Sequence, residues 1–255
     1  MKKTWIILLV TIGVMSMVSA AQGHILWLTA SNYSPRIGEQ VTIDIGFGHK
    51  FPHTETVWED NIERIFLRDP KGQELAIEKV APAQYTFAPK PEGQYEVIIL
   101  MKPGFVSNTT SGRKLGNKKT LDGVVACFRF SMQAKALINV GSKGGSPARQ
   151  SDLPLEIILP ENAGKLKTGD KLLLKVIYQG RPLAGAKVSA TDENTALRKE
   201  GAWVQESESN DQGEVSLKLI SRGPWLITAT HEVPFTDQSE CDKSTYRLTL
   251  TLSLE

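Results

Sequence analysis

From residue 41 to residue 47 the chain reads Val-Thr-Ile-Asp-Ile-Gly-Phe, with an apolar side chain at every second position. A strand sends successive side chains to opposite faces, so this spacing buries one face and leaves the other in water. The same period returns at 124–132, where Val124, Ala126, Phe128 and Phe130 share a face, and again at 172–178 and 215–220. Other short β-type runs lie at 23–28, 62–67, 74–80, 84–87, 95–101, 155–159, 186–191, 225–230 and 246–252. Turn compositions separate them, among them Asp69-Pro70-Lys71-Gly72 and Pro89-Lys90-Pro91-Glu92-Gly93, in which proline presets φ and glycine accepts positive φ. No amphipathic helical stripe of any length interrupts the pattern. The segment 105–121 reads as a long polar loop, and 192–211 leaves room for one short helix. Many short strands with regular turn signals predict an all-β chain built as β-sandwiches.

Gly141-Ser142-Lys143-Gly144-Gly145-Ser146-Pro147 has the composition of a linker. It divides the chain into an N-terminal β-sandwich at 22–133, a linker at 134–150 and a C-terminal β-sandwich at 151–255. In the second half, Gly180-Arg181-Pro182-Leu183-Ala184-Gly185-Ala186-Lys187-Val188 is followed by Asn210-Asp211-Gln212-Gly213-Glu214-Val215. This pattern resembles prealbumin-like and immunoglobulin-like bacterial modules, which implies an architecture and leaves the function open.

The first residues have a different chemistry. Lys2 and Lys3 are followed by an apolar stretch from Trp5 to Val14 and by small residues at Val18-Ser19-Ala20-Ala21, the three parts of a cleaved signal peptide. The apolar stretch is shorter than the ~20 residues a membrane span requires, which disfavours an anchor. The expected product is an exported, periplasmic or secreted, chain with no membrane span. Without Lys2 and Lys3 the 30 basic residues fall to equal the 28 acidic ones, so no electrostatic footprint for nucleic acid remains. Cys127 and Cys241 would then sit in an oxidising compartment, either as a disulfide or as two free thiols.

The four histidines are His24, His49, His53 and His231. Neutral imidazole is a common ligand for borderline metals, and each of these histidines falls at or just beyond the end of a predicted strand. In a sandwich, strand ends gather at two poles, so several of the four could meet there. His49 and His53 flank Phe51-Pro52, and the carboxylates of Glu55, Glu59 and Asp60 follow closely. Two loop histidines at this spacing are more often solvated than ligating, so the spacing is a weak signal. His24 has a separate route to a metal. Cleavage after Ala21 would leave Gln22-Gly23-His24 at the amino terminus, with four nitrogens arranged for Cu(II) or Ni(II); cleavage after Ala20 would not.

Taken together, His24 to Trp27, Gly48-His49 with Phe51-Pro52, the Gly-Arg-Pro-Leu-Ala-Gly-Ala run and Trp225-Leu226-Ile227 before His231 resemble one exported bacterial family. Its members are described as periplasmic components of nickel or cobalt uptake systems. The resemblance implies a transition metal ion as ligand, nickel or cobalt first and copper or zinc also accommodated. It also implies delivery to an inner-membrane metal transporter, with His24, His49 and His231 as ligands and His53 as an added nitrogen. No Gly-x-Ser-x-Gly elbow, phosphate loop or His-Glu-x-x-His signature points to an enzyme. The alternative is a non-catalytic surface module that binds a protein or glycan through Trp27, Trp58, Trp203 and Trp225.

Overall fold

The computed structural model describes residues 23–55, 59–141, 153–160 and 163–254. The expected leader at 1–21 and residues 142–150 of the expected linker lie outside them. The first half contains β1 (Ile25–Ala30), β2 (Val41–Gly48), β3 (Ile62–Arg68), β4 (Glu74–Leu75), β5 (Glu78–Ala81), β6 (Gln84–Phe87), β7 (Gly93–Met101), β8 (Gly104–Thr109), β9 (Gly112–Leu115) and β10 (Val124–Val140). The second contains β11 (Leu155–Ile158), β12 (Lys171–Tyr178), β13 (Arg181–Pro182), β14 (Lys187–Asp192), α1 (Glu193–Arg198), β15 (Gln205–Glu208), β16 (Glu214–Lys218), β17 (Gly223–Pro234) and β18 (Lys243–Leu254). The chain is all-β, as its alternation requires. Asp192 caps α1 by accepting from the Thr195 backbone N–H, which puts the short helix inside the polar stretch that had room for it.

Two four-stranded sheets pack against one ten-stranded sheet. The large sheet runs β15-β14-β17-β18-β10-β7-β3-β4, with β8 and β9 joined to the side of β10. One small sheet, β1-β2-β6-β5, covers part of it; the other is built from β11, β12, β13 and β16. β10 is the spine. Its Ala134, Ala136, Ile138 and Val140 enter the N-terminal core with Ile43, Ile45, Val97 and Ile99. Leu137, which points the other way, enters the C-terminal core with Leu155, Val176, Ile227 and Leu250. The two sandwiches thus lie on opposite faces of one shared strand.

This corrects three expectations. Residues 134–140, assigned to the linker, are the second half of a 17-residue strand and are buried throughout. The boundary does not separate two independent sheets, because β10 pairs in parallel with β18 from Phe128 with Lys243 to Ala136 with Thr251. Residues 105–121 are not simply a loop either: β8 and β9 form a hairpin there, and β8 pairs along the first half of β10. Cys127 and Cys241 are joined in a disulfide with their Cα atoms 5.0 Å apart, so the bridged alternative holds. Among the described residues, no helix is long and apolar enough to cross a membrane.

Candidate metal centre

Two adjacent antiparallel strands bring the first pair of histidines together. β1 and β2 pair in a register that sets Ile25 opposite Gly48, so the next rung outward faces His24 with His49. Their ring centroids are 4.2 Å apart. His24 also lies flat on Phe47, with centroids 5.0 Å apart and planes 2° from parallel, which restricts its rotation. Twenty-four residues of intervening sequence are folded back by a register that alternation along β1 alone could not specify.

Glu55 completes the group. Its Oε2 lies 3.1 Å from His24 Nε2 and its Oε1 3.1 Å from His49 Nδ1, while the His49 backbone N–H donates to Oε1 at 3.0 Å. That backbone hydrogen bond, followed by the His49 ring, holds the Glu55 carboxyl below the usual carboxylate range. The loop that delivers Glu55 is closed by the Glu55 N–H donating to the Phe47 carbonyl at 2.9 Å and by Phe47 N–H donating to Thr54 Oγ1 at 3.0 Å. It contains a cis Phe51-Pro52 bond. Gly48 has φ +146°, and a Cβ there would lie 2.8 Å from the Glu55 side chain, so the close approach of Glu55 requires glycine.

The outer edge of β1 is held by side chains. Arg247 Nη1 donates to the Gly23 and His24 carbonyls, both at 3.2 Å; Thr249 Oγ1 donates to the Leu26 carbonyl at 2.6 Å and Thr251 Oγ1 to the Leu28 carbonyl at 2.7 Å. These residues alternate along β18, so one face of that strand satisfies carbonyls along β1 that have no strand partner. Beneath the loop, Phe51 packs edge-on to Trp27 at 5.9 Å and joins it in a small apolar cluster with Leu226 of β17. Lys50 pairs with Glu200 at 3.2 Å. The histidine loop therefore rests on the C-terminal half of the molecule although its ligating groups come from the N-terminal half.

One ligand atom from each of His24, His49 and Glu55 lies within 4.8 Å of the others. Metal–nitrogen and metal–oxygen bonds of about 2.0–2.2 Å allow ligand atoms on one ion to stand up to roughly twice that apart, so small inward movements suffice. Two imidazoles and a carboxylate form a borderline donor set suited to divalent first-row metals, with further coordination positions left open. The residues fit a metal ion. The side chains are 45 % (His24), 35 % (His49) and 40 % (Glu55) exposed, so an ion or its carrier can reach them from solvent.

The other two histidines stand apart from this group. His53 is exposed and bridges to Lys50 at the neck of the loop. His231 is on β17, whose odd-numbered residues Trp225, Ile227 and Ala229 face the C-terminal core while Leu226 faces Trp27 and Phe51. Its ring follows that parity and packs on Tyr178 at 4.6 Å, on the opposite face of the sheet from His24. Burial pushes its pKa down, against a smaller opposing effect of Glu232. Glu59 accepts from the Ala83 N–H and pairs with Lys79, and Asp60 lies exposed in a short 3-10 turn, so neither joins the group. Of the tryptophans considered for surface binding, Trp27 and Trp225 are fully buried, Trp203 is half-buried and Trp58 lies outside the described residues.

The centre opens into a cleft of about 1640 Å³ walled by β8, β9, the first half of β10 and the outward face of β14, β17 and β18. The cleft was not legible in sequence, because its walls come from strands of both halves, two of them in the apparent loop.

No curated protein matches the sequence. Solved structures similar to the chain include Escherichia coli alpha-2-macroglobulin activated by porcine elastase, at 12 % identity and TM-score 0.26, covering 91 % of this chain and 20 % of that one. The chain thus spans about a fifth of that protein's length. The fibronectin(III)-like modules of Clostridium thermocellum CbhA match at 9 % identity and TM-score 0.20, over 88 % of this chain and 93 % of theirs. The D0-D1 domain of intimin matches at 9 % and 0.20, over 89 % and 97 %. At these scores none bears on activity. A family model matches residues 21–233, most of the chain, and the protein is therefore a member of the family defined by the domain of unknown function DUF4198.

Proposed function

We propose that this protein is an exported, non-catalytic metal-binding accessory protein in which His24, His49 and Glu55 capture a divalent transition metal, nickel or cobalt first, for delivery to a membrane transporter. The observation that carries the reading is the convergence of two imidazoles and one carboxylate from two strand ends and a loop, with ligand atoms within 4.8 Å. In the metal-free state each imidazole nitrogen facing Glu55 is hydrogen-bonded to the carboxylate. A metal ion and protons compete for those nitrogens, so binding weakens as the solution is acidified. Among the described residues Glu55 is the one carboxylate hydrogen-bonded to either ring, and as a ligand it is not available as a catalytic base. Capture and release are therefore the chemistry this set supports.

Calorimetric titration of the full exported chain with Ni(II), Co(II), Cu(II) and Zn(II) tests the proposal. Micromolar or tighter binding is expected, reduced about 100-fold or more in His49→Ala and little changed in His231→Ala. Absence of such binding for all four metals overturns the reading. A preference for copper would only follow the general affinity order and would not name the physiological ion.

A further inference from the structure

The cleft beside the centre carries charge of the wrong sign for a bare cation. Arg247 Nη1 reaches the Gly23 and His24 carbonyls at 3.2 Å. Arg113 Nη2 lies 3.6 Å from where a Gly23 Cβ would be, so both guanidiniums flank the residue that precedes His24. Among the described residues neither has a carboxylate within ion-pair distance. Arg113 lies over the Phe128 ring at 5.1 Å, and the hydrogen bonds of Arg247 use Nη1 alone, leaving its Nε and Nη2 donors for something else. A carboxylate is the natural bidentate partner of a guanidinium.

A divalent ion approaching His24 alone would meet this repulsion. An ion that arrives already carrying carboxylates would not, and the cleft is far larger than an ion needs, with room for a small organic ligand. Three protein ligands also leave coordination positions that such a carrier would keep.

We propose that the cleft receives its metal as a complex with a small organic polycarboxylate, whose free carboxylates rest on Arg113 and Arg247 while His24, His49 and Glu55 take positions on the ion. This rests on the metal-binding reading above and names the form in which the metal comes. Ligand exchange at the ion is the only heavy-atom bond change: three carrier oxygens on the protein-facing side leave, two imidazole nitrogens and one carboxylate oxygen replace them, and any ring proton on a ligating nitrogen moves by way of solvent to the other nitrogen of the same ring, so both imidazoles bind neutral.

The test is equilibrium dialysis of the full exported chain with Ni(II) alone, with Ni(II) plus equimolar labelled citrate, with Ni(II) plus inorganic phosphate, and with labelled citrate or phosphate in the absence of metal. Wild type is expected to retain citrate together with nickel. Arg113 is exposed, so Arg113→Gln should fold normally. It is expected to lose citrate retention about tenfold or more while binding bare Ni(II) no more weakly, since a repelling charge has gone. If citrate merely strips nickel from wild type and Arg113→Gln alike, or if phosphate is retained as well as citrate without metal, the inference is overturned while His49-dependent nickel binding preserves the broader reading. If nickel binds under none of the conditions, both fall.

Discussion

Glu55 sets the behaviour of the centre, because one carboxylate accepts from the His49 backbone and from both imidazoles. Glu55→Gln keeps the shape but weakens the ligand and removes one acceptor; metal affinity should fall about 10–100-fold by calorimetry, with the circular dichroism spectrum retained. The lowered pKa of Glu55 also has a sign. A depressed carboxylate stabilises the fold above its unfolded pKa and loses that contribution as pH falls through the folded value, so acidification below the ordinary carboxylate range should loosen the 49–55 loop. Backbone amide exchange across the loop would show this in wild type and not in Glu55→Gln. At Gly46 the constraint is packing: a Cβ would fall inside the Trp27 indole, and Gly46→Ala should cost about 3 kcal/mol in a denaturant titration, with the whole loop floor displaced. His24 and His49 were legible as strand-end histidines, but their meeting depends on a pairing register across sheet neighbours. His231 shows the limit of strand-end reasoning, because a shift of one residue along β17 decides which face of the sheet its ring occupies.

Among the elements, β18 does more than its sequence indicates. Leu248, Leu250 and Leu252 read as a buried face and are one. The threonines between them look like a solvent face, yet Thr249 and Thr251 are buried against β1 and donate to its carbonyls. Alternation distinguishes two faces without saying that the polar one is covered. Thr251→Val would keep the volume and leave the Leu28 carbonyl without this donor, for a loss of about 1–3 kcal/mol, with faster amide exchange in β1 as the specific sign. The strands that wall the cleft were hidden for a related reason. β9 is exposed at every residue, so no apolar period marks it, and only its backbone pairing with β8 makes it a strand. β10 was readable to Met132; beyond that, burial on both faces erases the alternation that had revealed its first half.

At the scale of the molecule, the two sandwiches are tied by a buried ionic cluster and by a disulfide. Lys135 of β10 is fully buried and its Nζ lies 3.1 Å from both Glu96 of β7 and Glu156 of β11; Arg68 pairs with the other oxygen of Glu96. Lys135→Met would leave two buried carboxylates without this cation and should destabilise by about 3–5 kcal/mol, read as a lower denaturant midpoint. The disulfide closes a separation of 114 residues, and Asp242 beside it accepts from the Cys127 backbone N–H and pairs with Lys118. Replacing both cysteines by serine should cost about 2–5 kcal/mol, measured by thermal unfolding in the oxidised state. All-β architecture and two cores could be read from periodicity, but a shared sheet could not, since pairing between β10 and β18 spans more than a hundred residues and leaves no local mark. That pairing has a consequence for anyone trimming the gene. The family match stops at residue 233, one residue short of the end of β17, and omits β18 altogether. A fragment cut at that border would lose the strand between β17 and β10, and the aggregation of its two bared edges, rather than a smaller working unit, is the expected yield.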